Sequence, residues 1–288
     1  MKKTKGERVF DVANYAVLCI VGLVTLLPMV HVAAKSVSSE GAVAAGQVGL
    51  LPVGFELETY RVVVTSADFL QSLKVSVFIT GVGTLLHVLV MSMAAYPLSR
   101  DRLPGKRFLT FVFVFTMMFS GGLIPTYLVM KRLNLINRLW ALILPSLVST
   151  FNLIILRNFF QSIPDDLEDS ARIDGASNVT IFFSVMFPLA MPAIATVCVY
   201  TAVGFWNGYF SALIYIQKRS IYPLSLYLRS MIAETDAQLV NLNPELANLN
   251  PVSVRSAAVV ASTVPILAVY PFLQRYFVQG VMLGAVKG

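Results

Sequence analysis

Six stretches of this sequence, residues 12–34, 69–99, 107–130, 139–161, 187–216 and 256–279, stay apolar over lengths sufficient to cross a bilayer. A spanning helix needs about 17 to 25 such residues. Hydrocarbon offers no hydrogen-bond partner to the backbone, so stretches of this length must satisfy their own N–H and C=O groups as helices. The expected fold is all-α, a polytopic membrane protein with six transmembrane helices. Apolar residues make up 57% of the chain and charged residues only 13%, about half the charge of an ordinary soluble protein. The second and fifth stretches exceed what a bilayer demands, which implies tilt or extension beyond it. Little chain is left for a soluble domain, so residues 1–288 are expected to form a single transmembrane domain. The first apolar run is too long for the core of a secretory signal and has no clean small-residue cleavage site after it, so none is expected.

Sidedness follows from the basic residues. The N-terminal MKKTKGER favours the cytoplasm, and placing it there puts Arg100, Arg102, Lys106 and Arg107 inside as well. The count is about twelve Lys/Arg inside against about nine outside, a modest bias. Lys131, Arg132 and Arg138, in a short outer loop, run against the rule. Both termini are expected in the cytoplasm of a bacterial cell. The net charge of +7 points to anionic lipid head groups rather than nucleic acid. Cys19 and Cys198 both fall inside predicted spans and read as small buried residues.

Several chemistries are missing. Every Asp and Glu is expected in a terminus or loop, so ion-coupled transport lacks its usual intramembrane carboxylate. His31 and His87 have no acidic partner in the pattern and read as packed or hydrogen-bonded side chains rather than a proton relay. No GxxxxGK[ST] phosphate loop and no HExxH metal motif is present, so no cofactor and no metal site is expected. Gly-rich patches at 81–84 (GVGT) and 120–125 (SGGLIP) read as close helix contacts or bends. A chain of this kind that moves a solute must draw its energy from another polypeptide.

One segment is out of character. Of fifteen acidic residues, five lie between Asp165 and Asp174 in the run DDLEDSARIDGASNV. Pro164 suits a first helical position, with Ser162 or Ile163 as cap, and Gly175 sits where a left-handed residue ends a helix. The resulting helix of about ten residues is about 15 Å long, too short to span. Its early acids suit the helix dipole, and Glu168 can pair with Arg172 one turn on. Ile163, Leu167 and Ala171 form a narrow apolar stripe. A second short helix, capped by Ser177 or Asn178, runs into Pro188 and Pro192. A helix lying on lipid would be basic on its polar face; this one is acidic, which points instead to docking on a basic protein groove.

The run LEDSARIDGASNVTIFFSVMFPLAMP, Leu167 to Pro192, resembles the EAA loop of binding-protein-dependent ABC importer permeases. In that loop an E-A-A block is followed after three residues by Gly and then by a late I-x-L-P. Here the block reads Asp169, Ser170, Ala171, Gly175 is correctly spaced, and Phe187-Pro188 replaces Leu-Pro. Asp in place of Glu shortens the carboxylate by one methylene, and Glu168 is an alternative contact. The ending QRYFVQGVMLGAVKG and the IDGA form of the loop are similar to the maltose-type, carbohydrate-uptake permeases. SGGLIPTY and YPLSLYLR resemble the subfamily associated with pectin- or alginate-derived oligosaccharides.

The resemblance implies a type I ABC importer permease fold and no enzymatic activity in this chain. ATP and Mg would be bound by a partner ATPase. It further implies two cytoplasmic ATPase subunits, a second and different permease subunit, an extracytoplasmic solute-binding protein and an oligosaccharide substrate. Residues 162–188 would be the coupling loop, with Glu168, Asp169, Ser170, Ala171, Asp174, Gly175 and Ala176 at the ATPase. Val286, Lys287 and Gly288 would form a tail reaching between the ATPase subunits, unless the tail is simply free. Residues 217–255 would be an extracytoplasmic loop, with Tyr222 to Met231 a short amphipathic element on the membrane surface. Trp206, Asn207 and Tyr209 are candidates for the solute path, because sugar rings stack on aromatic faces and bond to amides. An interfacial aromatic belt explains the same residues equally well. Asn152 is a further path candidate, since an amide at membrane depth needs a partner. Two other classes remain, an ion-coupled carrier and a membrane-embedded enzyme.

Overall fold

The computed structural model describes residues 4–233 and 249–285. Among them there is no strand, only an isolated antiparallel bridge between Ser38 and Phe55. Helices α1 (Lys5–Ser36), α2 (Glu40–Ala44), α3 (Glu58–Thr65), α4 (Ala67–Ser99), α5 (Lys106–Met118), α6 (Leu123–Arg132) and α7 (Trp140–Ile143) lead to α8 (Thr150–Ser162) and α9 (Asp165–Ile173). They continue with α10 (Asn178–Ile181), a π turn over Phe182–Met186, α11 (Phe187–Leu189), α12 (Met191–Asn207), α13 (Phe210–Tyr215), α14 (Leu224–Ala233) and α15 (Pro251–Ala285).

The six expected spans take two forms. Three are uninterrupted helices with a membrane-length apolar window: Gly6–Ser36, Ala67–Ser99 and Pro251–Ala268. The other three are broken. Lys106–Met118 and Leu123–Arg132 meet at 111°, Trp140–Ser146 and Thr150–Ser162 at 49°, and Asn178–Leu189 and Met191–Asn207 at 79°. The 111° bend falls on the Gly-rich stretch singled out above, where Gly122 has φ +85°, a conformation that favours residues without a Cβ. Asp11 and Asp68, expected in a terminus or loop, lie within α1 and α4 but near their starts.

The chain divides into two compact units, residues 1–70 with 228–265 and residues 71–227 with 266–288. In the first unit α1 opens with a capping box: Thr4 Oγ1 accepts from Glu7 N–H, and Glu7 Oε2 accepts from Thr4 N–H. Beyond that cap α1 presents apolar side chains such as Tyr15, Leu18 and Leu23 all round, with none of its apolar window buried, the pattern of a helix solvated by lipid. A small core of Ala34, Ala42, Val43 and Val48 closes the far end of α1. His31 Nδ1 donates to the Gly49 carbonyl at 2.7 Å.

The second unit holds two apolar clusters. One joins Met91, Ala95 and Leu98 of α4 to Leu156 and Phe160 of α8 and to Phe182, Met186, Ala193 and Val197 along the α10–α12 segment. The other joins Val75 and Ile79 of α4 to Leu142, Ile143, Ala212 and Tyr215. Gly83 permits the close approach of α12: a Cβ there would sit 2.7 Å from Cζ of Phe205. That matches the reading of the GVGT stretch as a helix contact. The segment read as a short amphipathic element forms α14, with Leu224, Leu226, Tyr227 and Met231 buried and Arg229 exposed. Its first turn is capped from within the second unit, where Ser76 Oγ accepts the Leu224 N–H at 2.7 Å.

Candidate functional site

The acidic segment folds as a sharp elbow. Pro164 is the N-cap of α9 rather than its first residue, with φ −56° and ψ 136° and no capping side chain. Ser162, offered as a cap, donates its hydroxyl to the Phe159 carbonyl in its own helix. At the other end Gly175 has φ +80°. Ala176 N–H donates to the Ala171 carbonyl and Gly175 N–H to the Arg172 carbonyl, both at 3.0 Å. This pair of bonds is the Schellman motif, which satisfies two carbonyls that the helix end would leave bare. Ser177 then caps α10 through a bond from Thr180 N–H to its Oγ at 3.2 Å. The turn between the two helices is therefore fixed by hydrogen bonds on both sides.

The two faces of α9 differ in chemistry. On the inner face Glu168 is 3% exposed. Its Oε1 accepts from Arg172 at 2.7 Å, the pairing expected from the four-residue spacing. Its Oε2 lies 2.9 Å from Arg100 Nε, off the line of the N–H, so this contact is ionic and not a well-aligned hydrogen bond. Arg100 also binds Asp165 through Nη1 at 2.5 Å, and its guanidinium lies 5.7 Å from the centroid of the Tyr96 ring. Asp169 accepts from Arg102 at 2.7 Å in a half-exposed pair. That carboxylate pushes the Arg102 guanidinium pKa further up, chiefly through their hydrogen bond.

These contacts correct two expectations. Glu168 is spent inside the chain and does not present its carboxylate outward, because a buried carboxylate must be paired. Ala171 and Ala176 pack inward against the core between α4, α8 and α12 rather than facing a cleft in a partner. Asp166, Ser170, Ile173 and Asp174 are exposed and share a face at helical spacing. Ile173 is 87% exposed, and Val179, just past the elbow, is 67% exposed. Sequence reasoning missed Arg100 and Arg102 as partners of the acids. The signal was available, since the basic run 100–107 and the acidic run 165–174 were assigned to the same side of the membrane.

A second polar site lies among the spans. A cavity of about 290 Å³ is lined in part by His87, Ser146, Asn152, Thr201, Gly204 and Phe205. His87 Nδ1 lies 2.8 Å from the Ser146 carbonyl, which can only accept, so the proton sits on Nδ1. Nε2 is then an acceptor, and Asn152 Nδ2 donates to it at 2.9 Å and to Thr201 Oγ1 at 3.3 Å. The partners predicted for Asn152 are thus His87 and Thr201. Trp206, Asn207 and Tyr209, at the end of α12 and the break after it, do not line this cavity. Val286, Lys287 and Gly288 lie outside the described residues, as does most of the loop between α14 and α15. Among the described residues no group of His, Cys, Asp and Glu could hold a metal.

Residues 61–283 match the family model described as binding-protein-dependent transport system inner membrane component. The chain belongs to that family. It is a multi-pass membrane permease and not an enzyme; in such systems the ATPase is a separate subunit. Among curated relatives of this permease, protein LplC of Bacillus subtilis is 43% identical over 290 residues, covering 100% of this chain and 98% of LplC. The polygalacturonan/rhamnogalacturonan transport system permease protein YtcP of the same organism is 42% identical, covering 98% of this chain and 99% of YtcP. The permease also superposes, with a TM-score of 0.88 and 33% identity, on a chain from the crystal structure of a bacterial ABC transporter involved in the import of the acidic polysaccharide alginate. That match covers 96% of this chain and 99% of the other.

Proposed function

We propose that this permease is one transmembrane half of an importer that passes an oligosaccharide inward, and that its ATPase docks on the elbow formed by α9, Gly175 and α10. The observation that carries the docking site is the exposure of Ile173 and Val179 at the tip of an elbow whose polar inner face is fully engaged. Large apolar side chains left in water at the apex of a braced element are the pattern of a protein contact. Asp166 and Asp174 add unpaired acids beside them for a basic groove. The resident charges Asp165, Glu168 and Asp169 bind the elbow to Arg100 and Arg102 and so to the end of α4. Force applied at the tip therefore reaches a membrane-length helix directly.

The remaining assignments follow from this reading. Two ATPase subunits would hold ATP and Mg, a second and different permease subunit would complete the passage, and an extracytoplasmic solute-binding protein would deliver the sugar. Both termini would be cytoplasmic, with α9 on the same side. The substrates named for the relatives, polygalacturonan or rhamnogalacturonan and alginate, support an oligosaccharide of the pectin or alginate kind. Asn152, with His87 and Thr201, offers hydrogen bonds to a sugar hydroxyl within the cavity, and Trp206, Asn207 and Tyr209 remain candidates for the outer part of the path.

The test is copurification with co-expressed ATPase. Ile173→Asp is expected to abolish ATPase recovery while membrane level and thermal stability of the permease stay at wild-type values. Undiminished recovery of ATPase with Ile173→Asp and Val179→Asp together would overturn the docking site.

A further inference from the structure

We propose that the end of the second unit remote from α9 carries a cationic bowl that receives the carboxylates of an acidic oligosaccharide before it enters the membrane. The proposal rests on the importer reading for the ligand being a saccharide. The bowl itself rests on geometry. Lys131, Arg138 and Lys218, with Asn134, Ile136 and Asn137, line an open depression of about 510 Å³, within the range of small-ligand sites. No acidic side chain lines it. None of the three cations joins the ion pairs of the described residues. Leu135, Ile136 and Ile216, in the loops at 133–139 and 216–218, pack with Val75 and Ile79 in the first half of α4, whereas Arg100, just past the end of α4, holds the elbow, so the bowl lies toward the other end of that helix.

Three like charges brought together repel, so something must hold them. Asn137 does so: its N–H donates to the Tyr215 carbonyl at 2.9 Å, and its Oδ1 accepts from the N–H groups of Gln217 and Lys218 at 2.6 and 3.1 Å. Asn134 and Asn137 have φ of +54° and +59°, the left-handed region that Asn tolerates better than other side-chain-bearing residues. Leu135 and Ile136 between them pack onto the apolar cluster that contains Leu142 and Tyr215. A loop that merely joins two helices needs none of this bracing. Two of these cations, Lys131 and Arg138, also run against the usual sidedness of basic residues, which a ligand of opposite charge would offset.

The number of cations sharing one depression selects the ligand class. A single small anion engages one point, whereas an oligouronate carries one carboxylate per ring and meets several spaced cations at once. Arg138 offers a planar fork to a carboxylate, Lys131 and Lys218 offer point charges, and the free amide groups suit ring hydroxyls.

The experiment titrates the full chain in nanodiscs with trigalacturonate and, in parallel, with the neutral trisaccharide maltotriose. Trigalacturonate is expected to bind in a salt-sensitive manner and maltotriose not to bind. The triple variant Lys131→Gln, Arg138→Gln, Lys218→Gln should weaken trigalacturonate binding on the order of tenfold or more, while Arg138→Lys alone retains most of it. The proposal is overturned by equal binding of the two sugars, by an undiminished triple variant whose wild type binds, or by no trigalacturonate binding at all. If the triple variant instead loses stimulation of the ATPase by the solute-binding protein and keeps its trigalacturonate affinity, the bowl is a protein-docking surface and the proposal fails. Each of these failures leaves the importer reading standing, because that reading is decided by ATPase copurification.

Discussion

Arg100, one residue past the end of α4, holds Glu168 of α9 with Nε 2.9 Å from Oε2, and the two side chains are only 11% and 4% exposed. The contact joins the helix that would meet the ATPase to the longest span in the second unit. A carboxylate this buried, flanked by Arg100 and Arg172, is a linkage and not a surface feature.

Removing one partner should be costly. Arg100→Met is expected to destabilise the permease by about 3 kcal/mol, because Glu168 stays buried with Arg172 as its remaining ion-pair partner. Replacing both residues, Arg100→Met with Glu168→Gln, should recover much of that loss. Thermal unfolding of Arg100→Met, Glu168→Gln and the double variant in nanodiscs gives the coupling energy. Strictly additive losses would show that the pair does not interact.

Gly175→Val should separate folding from coupling. Its φ of +80° disfavours any β-branched residue, although a Cβ there would meet nothing within 4 Å. The strain therefore lies in the backbone and should cost about 1 to 3 kcal/mol, opening the Schellman turn locally. The permease should still reach the membrane but lose ATPase copurification. Wild-type recovery would show that the docking site does not depend on the elbow.

The Asn152 network should respond to shape-matched substitution. Asn152→Leu leaves His87 Nε2 with no donor and Thr201 without its amide partner, a loss of about 1 to 3 kcal/mol. The ring should keep its proton on Nδ1, because the Ser146 carbonyl still accepts there. Nitrogen-15 shifts of the imidazole report the tautomer, and a proton found on Nε2 in the wild type would contradict the network.

Gly83→Val should be felt at once by Phe205. The added atoms would fall within 3.0 Å of several ring carbons, so α4 and α12 must part or the ring must turn, a cost of about 1 to 3 kcal/mol. A lowered melting temperature with unchanged ATPase recovery is expected; unchanged stability would mean that the ring is free to swing away.

The Asp101 carboxyl should titrate below its usual range. Lys106 beside Asp101, hydrogen-bonded at 2.8 Å, holds the carboxyl below the usual Asp value. The folded pKa is depressed, so the pair's contribution is present above the unfolded pKa and fades as pH falls through the folded one. Carboxyl carbon-13 titration of Asp101 should therefore show a midpoint below that of the same residue in Lys106→Gln. Coincident midpoints would rule out the pairing.

What the sequence determined by itself is everything carried by local pattern. Membrane-length apolar runs dictate helices because lipid offers the backbone no other partner. The Gly at the end of the acidic segment dictates a left-handed stop, and the Glu168–Arg172 spacing dictates an ion pair, since both are matters of one helical turn. The tertiary structure decided what depends on neighbours distant in the chain. It turned Glu168 and Ala171 inward, because Arg100 and the α4–α8–α12 core approach that face of α9, and so left Ile173 and Val179 as the outward tip. It broke three spans at angles that hydropathy cannot register, since a bend between two apolar helices changes direction without changing composition. It also gathered Lys131, Arg138 and Lys218 around Asn137, a grouping of charges from separate loops that no local period encodes.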